Sequence, residues 1–91
     1  MATSWSLLSN HGHVLVAVAQ DPDARLRDIA DAVGVTERAV HAILTDLIDA
    51  GYVSKQRDGR RNHYEVHLDL TLRHPLERGH RIGDLLNAVS G

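Results

Sequence analysis

Apolar residues recur along this chain with two different periods, and the change from one to the other divides it. Between Asn10 and Gln20, Val14, Leu15, Ala17 and Val18 fall three and four apart, the spacing of one buried helix face, and Asp21-Pro22 ends the stretch. Ser9 and Asn10 both suit its N-cap, and Trp5, Leu7 and Leu8 precede it as an apolar arm. After the turn DPDA and a short extended step at Arg25-Leu26, a second helix is predicted from Arg27 or Asp28 to Val33, burying Ile29, Ala30 and Val33. A third runs from Glu37 to Ala50, with Val40, Ile43, Leu44, Leu47 and Ile48 on one face. Thr36 suits its N-cap, Glu37 places a negative charge in its first turn, and Gly51 stops it.

Beyond Gly51 the period drops to two. Tyr52 to Arg57 and Arg61 to Leu68 flank Asp58-Gly59-Arg60, and an Asp-Gly step between strand-like runs signals a hairpin. Tyr64, Val66 and Leu68 are expected to pack on the helices, with His63, Glu65 and His67 on the opposite side. A loop follows, then a closing amphipathic helix over 75–90 that opens at Pro75 and carries Leu76, Ile82, Leu85, Leu86 and Val89. Gly79 and Gly83 lie four apart within it, which calls for close approach of another helix unless the regular helix starts only after Gly79.

The stretch from Leu26 to Gly51 pairs two short helices through a tight turn. Ala30 sits where a larger side chain would push the helices apart, and Gly34 occupies the turn, where positive φ costs glycine little. These are the marks of a helix-turn-helix over 26–51. With a hairpin wing at 52–68 and the helix at 75–90, they make a mainly α, α+β architecture. It is a winged helix-turn-helix with a three-helix core, a two-stranded β-hairpin wing and a C-terminal helix, in one domain over 1–91.

Composition narrows the options. A chain of 91 residues buries only about three fifths of its unfolded surface, so oligomerisation is a natural source of added stability. With no Phe, one Trp and two Tyr, the core must come from Leu, Val, Ile and Ala. The absence of cysteine removes disulfides, thiolate metal ligands and thiol catalysis. No apolar run approaches the roughly 20 residues that span a bilayer, and the first residues lack a secretory pattern, so a cytoplasmic protein without a membrane partner is expected. No nucleophile elbow, phosphate loop or ligand-spaced cluster organises the serines, histidines and carboxylates, so neither an enzyme nor a cofactor site is expected.

Net charge is −2, which speaks against a strongly basic nucleic-acid binder, but the charge is segregated. Between Gln20 and Ala50, Asp21, Asp23, Asp28, Asp31, Glu37, Asp46 and Asp49 outnumber Arg25, Arg27 and Arg38, whereas from Val53 to Tyr64 Lys55, Arg57, Arg60 and Arg61 face only Asp58. Such a positive lobe binds through its local field rather than the total charge.

The segments IADAVGVTERAVHAILTDLIDAGYV and RDGRRNHYEV resemble the small winged helix-turn-helix transcriptional regulators of the MarR and ArsR type, and the resemblance extends from about Asn10 to the end of the chain. It implies that the helix after Thr36 enters the major groove of double-stranded DNA. Thr36, Arg38, His41 and Thr45 would then contact DNA, with Glu37 and Ala42 on the same outward strip and Arg38 able to bond a guanine edge. Arg57, Arg60, Arg61 and Asn62 of the wing would grip phosphates or a narrow minor groove, with His63 close by. Terminal helices of the resembled group form two-fold dimers, which implies a homodimer interface at Leu8, Val14, Ile82, Leu85, Leu86 and Val89. The implied function is a sequence-specific transcriptional regulator, a homodimeric repressor, with no small-molecule effector specified. The competing reading is a winged-helix protein–protein interaction module, favoured by the acidic helices.

Seven histidines raise a metal site. His11 and His13 point apart on a helix, and His63 and His67 share a strand face about 13 Å apart along an extended chain. His74 and His80 could meet a partner subunit's residues. Surface histidines without a metal are the expectation.

Overall fold

The computed structural model describes residues 5–89, with elements in the order α1 (Asn10–Gln20), α2 (Leu26–Val33), α3 (Glu37–Asp49), β1 (Val53–Asp58), β2 (Arg61–Val66) and α4 (Ile82–Val89). Ser9 caps α1, its hydroxyl accepting from the Gly12 N–H at 3.3 Å, and Asp21 ends the helix where Pro22 withholds a donor. Helix α2 starts at Leu26, one or two residues earlier than the sequence predicts, and Arg25 rather than Arg25-Leu26 is the extended residue. An arginine cannot accept a backbone N–H, so the cap is supplied in reverse: the Asp28 carboxylate accepts the Arg25 N–H at 3.3 Å.

Two glycine stops set the path of α3. Gly34, at φ 88, ends α2, and the N–H groups of Gly34 and Val35 both donate to the Ala30 carbonyl, at 2.8 and 3.1 Å. Two residues later Thr36 starts α3 by accepting the Ala39 N–H at 3.0 Å. At the far end Gly51, at φ 84, donates to Ile48 while Tyr52 donates to Leu47, the paired bonds of a Schellman motif. That motif turns the chain directly from α3 into β1.

One core holds the three helices, the root of the wing and α4 together. Val14, Leu15 and Val18 of α1 meet Ile29 and Ala30 of α2, Val40, Ile43, Leu44 and Leu47 of α3, Val53, Tyr64, Ile82 and Leu86. The strands are antiparallel, running in register from Val53 opposite Val66 to Asp58 opposite Arg61. Gly59 and Arg60 alone form the turn. Gly59 has φ 63 and Arg60 does not share the positive sign, the pattern of a type II′ hairpin turn, which needs glycine first.

The wing is shorter and the last helix later than predicted. Strand β2 stops at Val66, and Leu68 is half exposed rather than packed on the helices. The His67 N–H still donates to Tyr52, but the chain then turns at Asp69. Residues 75–81 do not continue α4 toward Pro75. Isolated turns bond Glu77 to His74 and His80 to Glu77, while the Leu72 N–H donates to His80 and Thr71 bridges Arg81, closing this loop at its base instead of letting it join the helix. Regular helix begins after Gly79, and Ser90, the last residue of the predicted helix, lies outside the described residues. Gly83 answers to a loop rather than to another helix: a Cβ there would stand 3.3 Å from the Leu68 carbonyl oxygen.

Candidate nucleic-acid interface

Helix α3 is buried along one side and open along the other. Val40, Ile43, Leu44 and Leu47 anchor it, leaving Thr36, Glu37, Arg38, His41, Ala42 and Thr45 exposed as a strip spaced three and four apart. Two of these positions are partly engaged. The Thr36 hydroxyl serves as the cap acceptor, and the Thr45 hydroxyl donates to the His41 carbonyl at 2.9 Å. Arg38 and His41, together with the Glu37 carboxylate, carry the free hydrogen-bonding groups of the strip.

The wing projects beyond the core. Val53 and Tyr64 are buried at its root, whereas Lys55, Gln56, Arg57 and Asp58 on β1 and Arg60 and Arg61 at its end are exposed. Asn62 is half-buried opposite Arg57. The Arg57 Nε–H donates to the Gly59 carbonyl at 3.3 Å, folding that side chain over the turn. The ion pairs among the described residues are His11 with Asp46 and His63 with Asp23, both at 2.8 Å, so none of them neutralises Arg38, Lys55, Arg57, Arg60 or Arg61. A solvated arginine paired with a neighbouring acid is therefore not the arrangement at Arg38.

The structure uses His63 otherwise than the sequence suggests. Its Nδ1 faces the Asp23 carboxylate across a separation of 40 residues, and the adjacent Tyr64 N–H donates to the Pro22 carbonyl at 2.9 Å. Wing and α1–α2 turn are thus joined at two consecutive residues. Nothing in the local pattern marks Asp23 for this, because the pairing depends on where the folded turn lies. His67 is also engaged, with the Ser54 hydroxyl, and His11 with Asp46. Among the described residues no group of three or more His, Cys, Asp or Glu is placed to hold a metal ion.

The six positions expected at a dimer interface separate into two groups. Val14, Ile82 and Leu86 are 0%, 1% and 7% exposed inside the single chain, so they are core residues and offer no surface to a partner. Their apolar spacing is that of any buried helix face, which sequence alone cannot assign to core or interface. Leu8, Leu85 and Val89 remain at the surface. Leu8 and Leu85 line an open cleft of about 740 Å³ between the start of α1, the end of α3 and α4, beside the fully exposed Leu7. No helix among the described residues is long and apolar enough to cross a membrane.

Comparison with known proteins bears on both fold and ancestry. The PcaV transcriptional regulator from Streptomyces coelicolor, solved with its natural ligand, is 24% identical with a TM-score of 0.58, over 74% of this chain and 49% of that one. The zinc-dependent MarR family transcriptional regulator AdcR, in its Zn(II)-bound state, is 17% identical with a TM-score of 0.55, over 72% of this chain and 47% of that one. ZitR from Lactococcus lactis, a zinc-responsive MarR family member, is 20% identical with a TM-score of 0.56, over 71% of this chain and 46% of that one. The chain thus spans about half the length of these solved structures, and what they share with it is the winged-helix fold. No curated protein matches the sequence. A model of the MarR family matches residues 5–61, from the arm before α1 through the three helices to the end of the wing turn, and this chain belongs to the MarR family.

Proposed function

We propose that the chain is a sequence-specific DNA-binding transcriptional regulator acting as a homodimeric repressor. The observation that carries this reading is the pairing of an exposed polar strip on α3 with a wing whose Lys55, Arg57, Arg60 and Arg61 have no acidic partner among the described ion pairs. Cations left unpaired on a projecting hairpin suit a polyanion, since each phosphate they neutralise releases counterions. Arg38 and His41 would read base edges in the major groove, Thr36 and Thr45 would lie against them, and Arg57, Arg60, Arg61 and Asn62 would hold the flanking backbone. The solved neighbours, themselves described as transcriptional regulators or MarR family members, support the same assignment.

A second copy is proposed to dock on the apolar surface around Leu7, Leu8, Leu85 and Val89. Leu7 is 93% exposed beside the cleft, an unfavourable position for leucine in a lone chain. Two-fold pairing doubles the number of wings on one duplex and offsets the small positive charge of each.

Fluorescence anisotropy with a generic duplex of about 20 base pairs tests the central claim. Binding that weakens steeply with salt is expected. No binding at low salt would overturn the DNA reading and favour a protein–protein module, for which the acidic surface of α2 and α3 is the supporting observation. Light scattering at micromolar concentration tests the dimer, and a persistent monomer would count against it.

A further inference from the structure

Outside its root the wing has little to hold it. Lys55 to Asp58 are exposed, Arg57 bonds only within the turn, and a two-stranded hairpin is marginal by itself. On the β2 side two hydrogen bonds join it to the body: the Tyr64 N–H to the Pro22 carbonyl, and His63 Nδ1 to Asp23 Oδ1 at 2.8 Å. The second is the outermost attachment among the described hydrogen bonds, two positions from Arg61 and next to Asn62. The buried Tyr64 side chain and its backbone bond fix the root of the strand. The His63 bond, one residue farther out and aimed at the next residue of the same turn, restrains the part of the wing beyond that root.

We propose that Asp23 is a positioning residue of the DNA interface: its carboxylate accepts from His63 Nδ1 and so sets the angle between the arginine-bearing wing and α3. Asp23 touches no DNA in this arrangement. His63 is withdrawn from phosphate contact and serves as the strut's other end. The two elements that meet one duplex are then held in register before binding, which lowers the ordering cost of association. Asp23 itself is held in place, since its N–H donates to Asp21 Oδ1 at 3.3 Å and Asp21 also ends α1. The strut thus refers the wing to the scaffold helix. This role for Asp23 rests on the proposal that wing and α3 bind one duplex.

The test compares Asp23→Ala with Asp23→Asn, because both remove the same negative charge and only asparagine keeps an acceptor for His63 Nδ1. Duplex affinity of Asp23→Ala is expected about three- to tenfold below that of Asp23→Asn, with unchanged thermal midpoints. Backbone 15N relaxation of the free proteins is expected to show Arg57 to Asn62 more mobile in Asp23→Ala than in Asp23→Asn. Equal affinities and equal wing mobility in the two variants would overturn the proposal.

A double-mutant cycle guards against misfolding of either variant. His63→Ala and Asp23→Ala combined should bind no worse than Asp23→Ala alone, whereas additive losses would make His63 a DNA contact and overturn the strut. If the parent chain fails to bind duplex, the DNA reading falls, and the relaxation comparison still decides whether Asp23 holds the wing.

Discussion

Gly83 and Leu68 meet backbone to backbone: the Gly83 N–H donates to the Leu68 carbonyl at 3.0 Å, and a Cβ on Gly83 would stand 3.3 Å from that same oxygen. This contact seats the first turn of α4 on the loop that leaves the wing. Alanine would require the loop to yield slightly, and a bulkier branched side chain is expected to require more. Gly83→Val is expected to lower stability by about 1–3 kcal/mol, measured by urea denaturation with an unchanged m-value.

Gly34 poses the opposite case, a strained backbone with free space around it. No heavy atom lies within 4 Å of where its Cβ would be, yet its φ is 88. Gly34→Ala should therefore cost about 1–2 kcal/mol through conformation alone. Since Gly34 sets the angle between α2 and α3, chemical denaturation and duplex affinity should both register the change. A neutral effect on stability would show that the turn relaxes without strain.

Thr36 combines a structural duty with a place on the outward strip. Its hydroxyl accepts the Ala39 N–H, so Thr36→Ala is expected to lose about 1 kcal/mol of stability, while Thr36→Ser, which retains the acceptor, should stay close to the parent. Thermal denaturation of the three proteins checks the order.

Ile29 is 1% exposed between α2 and the other helices. Ile29→Ala is expected to cost about 2–5 kcal/mol, a large part of the stability of a small domain. A smaller loss would mean that the helices close over the cavity.

Arg60 and Arg61 are exposed at the wing turn without acidic partners among the described ion pairs. Replacing both by alanine should leave the thermal midpoint nearly unchanged, weaken duplex binding and reduce the slope of log affinity against log salt by about 2. An unaltered slope would show that the wing does not neutralise phosphates.

Local chemistry carried much of the fold into the sequence. The period of Val40, Ile43, Leu44 and Leu47, the cap at Thr36, the stops at Gly34 and Gly51 and the Asp58-Gly59 turn all act over a few residues, so each is visible where it operates. The outward strip on α3 follows from the same period by subtraction. The boundary of α4 was less visible, because Pro75 and Leu76 fit a helix start while the bonds that close the 72–80 loop at its base join residues eight to ten apart.

Which groups are already used emerges only in the folded chain. Val14, Ile82 and Leu86 look no different in sequence from Leu8, Leu85 and Val89, yet folding buries the first three in the core and leaves the others at the surface. His63 looks like an arm for DNA until the α1–α2 turn brings Asp23 within 2.8 Å of it. Period, caps and composition were enough for the first three helices, the hairpin and the sign of charge along each, because all of these act over a few neighbouring residues. The folded chain decided core against surface and free against paired, because burial and hydrogen bonding depend on residues that are neighbours only in space.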